Sequence, residues 1–185
     1  HVDDLKISHV DESVIDEFLN DLSNEFGKEA PLTISRGNVH EYLGMTLDFR
    51  QKGGVIIDMS DYIRTMLADA PDDMKGRSKT PAAAHLFKVN SEDPKLLDEE
   101  RAKIFVHLVM QALYLSQRGR PDIRTAVSFL STRLSCCDDD DYKKLTKLIC
   151  YLRWTPNMKL VLRCSEDEQV NWWIDASYAV HPNMK

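Results

Sequence analysis

The chain has 185 residues, 43% hydrophobic and 29% charged, with a formal net charge of −6. That balance suits one or two folded cores and excludes a disordered, charge-dominated chain. No apolar run approaches the roughly 20 residues that span a bilayer, and no secretory signal pattern is present, so an intracellular chain with no membrane partner is expected. Cys136, Cys137, Cys150 and Cys164 show no C-x-x-C spacing and read as reduced thiols rather than a zinc site.

Charge is unevenly spread. Residues 1–100 hold 11 basic and 21 acidic side chains, residues 101–163 hold 12 and 5, and residues 164–185 are net −3. A basic block between acidic flanks is either a phosphate-facing surface or a set of solvated helix faces.

The chain opens His1-Val2-Asp3-Asp4-Leu5-Lys6-Ile7-Ser8. Two aspartates among β-formers predict a tight hairpin turn with carboxylates at its tip. Adjacent carboxylates suit Mg²⁺, which takes hard oxygen ligands and keeps positions open for phosphates, although ordinary turn chemistry uses the same pair. Beginning on His inside a strand pattern, the sequence reads as a piece of a longer polypeptide.

Asp11 then caps a predicted helix in which Val14, Ile15, Phe18, Leu19, Leu22 and Phe26 recur at three- and four-residue spacing before Gly27. Its acidic opposite face predicts a helix packed on a sheet. Pro31 to Ser35 predicts a short strand. Met45, Leu47 and Phe49, then Val55, Ile57 and Met59, alternate around Lys52-Gly53-Gly54 and predict two paired strands. Gly44, within a strand-like pattern, predicts a bulge or a close backbone approach. A short helix starts at Ser60 or Asp61, and the Pro-rich residues 71–97 read as a connector.

Three helices are predicted next. The first follows Asp98, buries Phe105, Leu108, Ala112 and Leu115, and ends at Gly119. The second carries Pro121 in its first turn, where a missing N–H costs nothing. The third follows Asp138–Asp141, a run that reads as capping a helix N-terminus rather than as a metal cluster. Beyond Pro156 the pattern returns to strands, at Leu160–Leu162 and at Val170–Asp175. Asp175 closes an apolar strand, as a turn residue or a metal ligand.

Taken together, several of these segments resemble copia-type LTR retrotransposon polyproteins. The ordered matches are His1-Val2-Asp3-Asp4, Glu41-Tyr42-Leu43-Gly44-Met45, Lys79-Thr80-Pro81, Tyr114-Leu115, Arg120-Pro121-Asp122-Ile123, Lys147-Leu148-Ile149-Cys150-Tyr151-Leu152 and Asp175-Ala176-Ser177. Each motif alone is weak, and their shared order makes the likeness. It implies an α+β fold: the C-terminal part of a reverse transcriptase palm (residues 1–70), a connector (71–97), a helical thumb-like bundle (98–157) and the start of a ribonuclease H-like sheet (158–185).

The resemblance also implies roles. Asp3 and Asp4 match the paired aspartates that hold two Mg²⁺ ions for nucleotidyl transfer, and Asp175 matches the first carboxylate of the ribonuclease H metal site. His1 departs from the usual tyrosine. Tyr42, Leu43 and Gly44 match a hairpin that grips the primer, with Arg118, Arg120, Arg124, Lys143, Lys144 and Lys147 as candidate phosphate contacts. The implied partners are an RNA/DNA template-primer duplex, deoxynucleoside triphosphates and the rest of the polyprotein, in cytoplasmic virus-like particles with a nuclear phase. Both metal sites would be cut through, so the 185-residue piece is expected to have neither polymerase nor nuclease activity by itself. The rival readings are a decayed element, an unrelated α+β domain, and a non-catalytic binding module built on residues 101–163, whose duplex binding would survive Asp3→Asn and Asp4→Asn.

Overall fold

The computed structural model describes residues 4–90, 94–164, 172 and 174. The fold is α+β, as expected. Strands β1 (Val39–Tyr42), β2 (Met45–Asp48), β3 (Gly54–Asp58) and β4 (Leu160–Arg163) form one antiparallel sheet in the order β1-β2-β3-β4. Leu47 pairs with Ile57, so the alternating apolar residues of the predicted strands fall in register.

Two features of this sheet depart from expectation. Gly44 does not mark a bulge: Tyr42 pairs with Met45, and Leu43 and Gly44 are the two residues of a tight hairpin turn, at φ 50° and 71°. Positive φ at both central positions gives a turn whose twist matches that of the flanking strands. β4 pairs with β3 from Gly54↔Arg163 to Ile57↔Leu160, so the sheet runs across the boundary expected at residue 158.

The helices are α1 (Glu12–Phe26), α2 (Ser60–Asp69), α3 (Glu99–Arg118), α4 (Arg124–Ser131) and α5 (Asp139–Trp154). The last four enclose the core, in which Ile63, Phe105, Leu108, Leu130, Leu148 and Ile149 are fully buried. Each such side chain contributes about 1.5–3 kcal/mol relative to exposure. Asp98 caps α3 by accepting from the Arg101 N–H. Pro121 opens a 3-10 turn that leads directly into α4.

The Asp138–Asp141 run caps α5, as its sequence predicts. The Asp138 carboxylate accepts from the Asp140 and Asp141 N–H groups, and Asp141 accepts in return from the Asp138 N–H. Each aspartate also meets a base; Arg101 and Lys95 approach Asp139, and Lys144 lies 2.9 Å from Asp140.

Other expectations are corrected. Helix α1 forms where predicted, with its Asp11 cap, but none of its residues is buried, and Val14, Phe18 and Phe26 remain exposed. It is not packed on the sheet. Leu5 and Ile7 lie in no strand, and neither does Pro31–Ser35, because no described segment offers these backbones a ladder partner. The connector is more than a linker, since its Met74 and Leu86 enter the core and Leu96 bridges Asp138. Asp3, Asp175 and most of the strand predicted at 170–175 lie outside the described residues.

Candidate nucleic-acid interface

The site grows from the β1–β2 turn. With positive φ at both positions, Leu43 and Gly44 turn their backbone outward, and the Leu43 carbonyl accepts a hydrogen bond from the Tyr114 hydroxyl of α3. Tyr114 stacks on Tyr62 of α2, with ring centroids 5.2 Å apart and planes 30° from parallel. The Tyr62 hydroxyl donates to the Gln111 carbonyl at 3.2 Å. The Arg118 guanidinium sits 3.7 Å from the centroid of the Tyr114 ring. Such cation–aromatic stacking contributes about 0.5–2 kcal/mol and fixes the direction of the guanidinium.

α3 can do this because it has two faces. Phe105, Leu108, Ala112 and Leu115 point into the core, while His107, Gln111, Tyr114 and Arg118 follow one another at three- and four-residue spacing on a second stripe. Asp69 of α2 meets that stripe, accepting from Gln111 Nε2 at 2.9 Å and lying 3.4 Å from His107. Those two hydrogen bonds hold the Asp69 carboxyl below its ordinary range. Burial, and then the neighbouring Tyr114, push the Tyr62 hydroxyl up, so it stays a neutral donor. Gln111 Oε1 is buried and makes no hydrogen bond.

Gly44 borders two hollows. One, of about 480 Å³, is walled by Leu43, Tyr62, His107, Met110 and Tyr114. The other, of about 440 Å³, is more polar and includes Glu41, Asp58, Ser60, Arg64 and Lys159, with Lys159 Nζ 2.7 Å from Asp58. A backbone turn with glycine at its second position, an oriented guanidinium and aromatic edges form a surface suited to sugar and phosphate contacts, which position a nucleic acid without reading its sequence.

The structure thus brings three sequence-predicted residues together: Leu43, Gly44 and Arg118. Tyr42 stands half-buried at the end of β1, next to them. Arg118 joins them through its contact with Tyr114 rather than by lining either hollow. Arg124 and Lys143 are exposed and Lys147 half-buried, on α4 and α5, and none of these three lines a hollow either.

Arg120 and Lys144 are corrections. Arg120 is 1% exposed and its guanidinium forks onto Asp122 at 2.9 and 2.8 Å while also donating to the Thr155 carbonyl and hydroxyl. The Lys144 side chain is 1% exposed and donates to the Lys88 carbonyl. Both charges are spent inside the fold, so neither presents itself to phosphate.

Asp4 is exposed on the irregular N-terminal segment. Among the described residues no three His, Cys, Asp or Glu side chains are placed to hold a metal ion. Tyr62 and Tyr114 were missed as site residues by sequence reasoning. The second stripe of α3 was the available signal, since an amphipathic helix with an aromatic and a cation aligned on its outer face has more than a solvated back.

Comparison with known proteins gives one distant relation. Over 182 residues the chain is 24% identical to a Saccharomyces cerevisiae protein named "Putative transposon Ty5-1 protein YCL074W". The match covers 98% of this chain and 56% of that protein, so the chain spans about half the length of the relative. No family model matches. No solved structure matches either. The relation runs the whole length of the chain and is to a transposon-named protein.

Proposed function

We propose that the chain is part of a copia-type reverse transcriptase, in which the β1–β2 turn and the outer stripe of α3 hold the primer strand of an RNA–DNA template duplex for deoxynucleotide addition. The observation that carries this reading is the tie from Tyr114 to the Leu43 carbonyl, which fixes the turn beside Arg118. The similarity to a transposon-named protein over 98% of the chain supports it.

In this reading Asp3 and Asp4 belong to the two-Mg²⁺ polymerase site and Asp175 to a ribonuclease H site. The described residues do not by themselves fit a metal, and what this chain contributes is binding and orientation. Arg118 contributes positive charge at a fixed place, Gly44 lets a strand approach the backbone, and Tyr114 keeps the turn from shifting relative to α3. Contacts of this kind are worth most when the groups are held rigid before the duplex arrives. Deoxynucleotides, the rest of the polyprotein and a virus-like particle in the cytoplasm, with a nuclear phase, complete the proposal.

The test is the affinity of a labelled RNA–DNA hybrid for the chain as a function of salt. Arg118→Ala is expected to weaken binding and to lower the slope of log affinity against log salt by about 1, the signature of one lost phosphate contact. An unchanged slope would remove Arg118, and with it this surface, from the duplex interface.

A further inference from the structure

A second basic surface lies away from the hairpin, where the connector crosses α5. The Ser78 N–H donates to the Cys150 carbonyl at 3.2 Å, and the Cys150 thiol faces the Met74 and Lys75 carbonyls. Gly76 makes the close approach possible: its φ is +132°, and a Cβ there would lie 3.3 Å from Cys150 Sγ. Residues 75–79 are thereby fixed across the last turns of α5, and the Arg77 guanidinium rests 5.2 Å from the centre of the Trp154 ring. Trp154, the last residue of α5, remains 48% exposed, whereas Tyr151 and Leu152 just before it are buried.

On α5 itself, Lys143, Lys147, Cys150 and Trp154 succeed one another at spacings of four, three and four, a line about 16 Å long. Cys150 is buried where the loop crosses, leaving Lys143 and Lys147 on one side of the crossing and Trp154 on the other. Lys75 is neutralised by Asp72 at 2.8 Å. Arg77, Lys79, Lys143 and Lys147 have no carboxylate partner among the described residues, in contrast to Lys144, Arg133 and Arg101 on the neighbouring faces. An exposed indole with one guanidinium beside it, and three further cations spread along the loop and the helix, supply the two components of a single-strand site: charge that tracks the backbone and an aromatic face that takes a base.

We propose that the loop 75–79 and the Lys143–Trp154 line of α5 bind single-stranded nucleic acid, with Arg77, Lys79, Lys143 and Lys147 meeting phosphates and a base stacking on Trp154. This goes beyond the duplex grip of the hairpin and α3, sharing with it nucleic acid as the partner and none of its residues.

The test uses the full chain and a short labelled oligouridylate, with the RNA–DNA hybrid as the parallel ligand. Trp154→Ala is expected to weaken oligouridylate binding about tenfold, the size of one lost stacking contact. The double variant Arg77→Ala, Lys79→Ala is expected to flatten its salt slope by about 1.4. Arg118→Ala should leave oligouridylate binding unchanged. Circular dichroism is the check that each variant is folded, as expected for Arg77, Lys79 and Trp154 from their exposure. No oligouridylate binding at low salt overturns the proposal, and so does binding indifferent to Trp154, Arg77 and Lys79. Neither result touches the duplex reading, which stands or falls on Arg118 and the hybrid.

Discussion

Arg120→Ala should lower the stability of the chain by about 3 kcal/mol, read as a fall in the urea midpoint at unchanged slope. The side chain is 1% exposed and joins the turn after α3 to Thr155 at the end of α5. Removing it takes the guanidinium from the Asp122 carboxylate, the Thr155 carbonyl and the Thr155 hydroxyl together, leaving Asp122 only the Tyr151 hydroxyl as a side-chain partner. A buried charge stripped of its counter-ion is worse than a missing pair. The loss falls at the low end of the range for buried pairs because the Asp122 side chain is 31% exposed and can recruit water. Arg120→Lys should rescue little, since an ammonium cannot fork onto Asp122 and reach Thr155 at once.

The same group predicts an acid dependence. Burial alone would raise the Asp122 carboxyl, but hydrogen bonds from Arg120 and Tyr151 outweigh it and hold it below its ordinary range. A carboxyl lowered in the folded state stabilises the fold above its unfolded value, and that contribution is lost as pH falls through the folded one. Arg120→Ala should therefore flatten the acid limb of the stability profile. A stability change under 0.5 kcal/mol, coupled with weakened hybrid binding, would instead return Arg120 to the phosphate-contact role its sequence position implies.

Arg133→Met should cost about 3–5 kcal/mol at pH 7. Arg133 Nε lies 2.8 Å from Asp141, both side chains are almost wholly buried, and Asp141 also serves the cap of α5. Burial already pushes the Asp141 carboxyl up, with Arg133 opposing the shift. Without Arg133 the carboxyl rises further and takes a proton in the folded chain before the unfolded chain does. The penalty should therefore be smaller at pH 5 than at pH 7, as the buried carboxyl, left with Lys144 at 3.9 Å as its nearest cation, takes up a proton. Adding Asp141→Asn should recover part of the loss at pH 7, because an amide keeps the capping oxygen without the charge. Chemical denaturation at the two pH values reads both effects, and a pH-independent penalty would contradict the account.

These two arginines also show what the sequence disclosed and what it hid. The start of α3 was legible to the residue, because Asp98 is its cap and the apolar spacing behind it is strict. Helix α5 was legible as a helix capped by the aspartate run, but it begins inside that run, at Asp139, rather than after it. The β2–β3 pair was legible for the same kind of reason. Helix α1 was legible as a helix, but periodicity says that a face is apolar and not what covers it, and Phe18 and Phe26 remain exposed. Strand β1 was obscured because Leu43, a branched residue at positive φ, is not the Asn or Gly that advertises a two-residue turn.

Charge misled most. The excess over residues 101–163 counts Arg120 and Lys144 as surface, yet each has an aspartate within local reach: Asp122 two residues on, Asp140 one helical turn before. Lys147 has no such neighbour, and Arg118, whose Asp122 four residues on is taken by Arg120, rests on the Tyr114 ring instead. Tyr114 is named in the sequence only as part of the Tyr114-Leu115 match, because nothing in the spacing of α3 shows that the hairpin rests on its hydroxyl.

The central claim is that the β1–β2 turn and the outer stripe of α3 hold the duplex together as one surface. Amide hydrogen exchange of the chain with and without an RNA–DNA hybrid tests it most directly. The account predicts that added hybrid slows exchange at residues 42–45, while the buried face of α3 keeps the rate it already has. Hybrid binding that leaves the 42–45 amides exchanging as fast as in the free chain would contradict it, and would place the duplex elsewhere on the molecule.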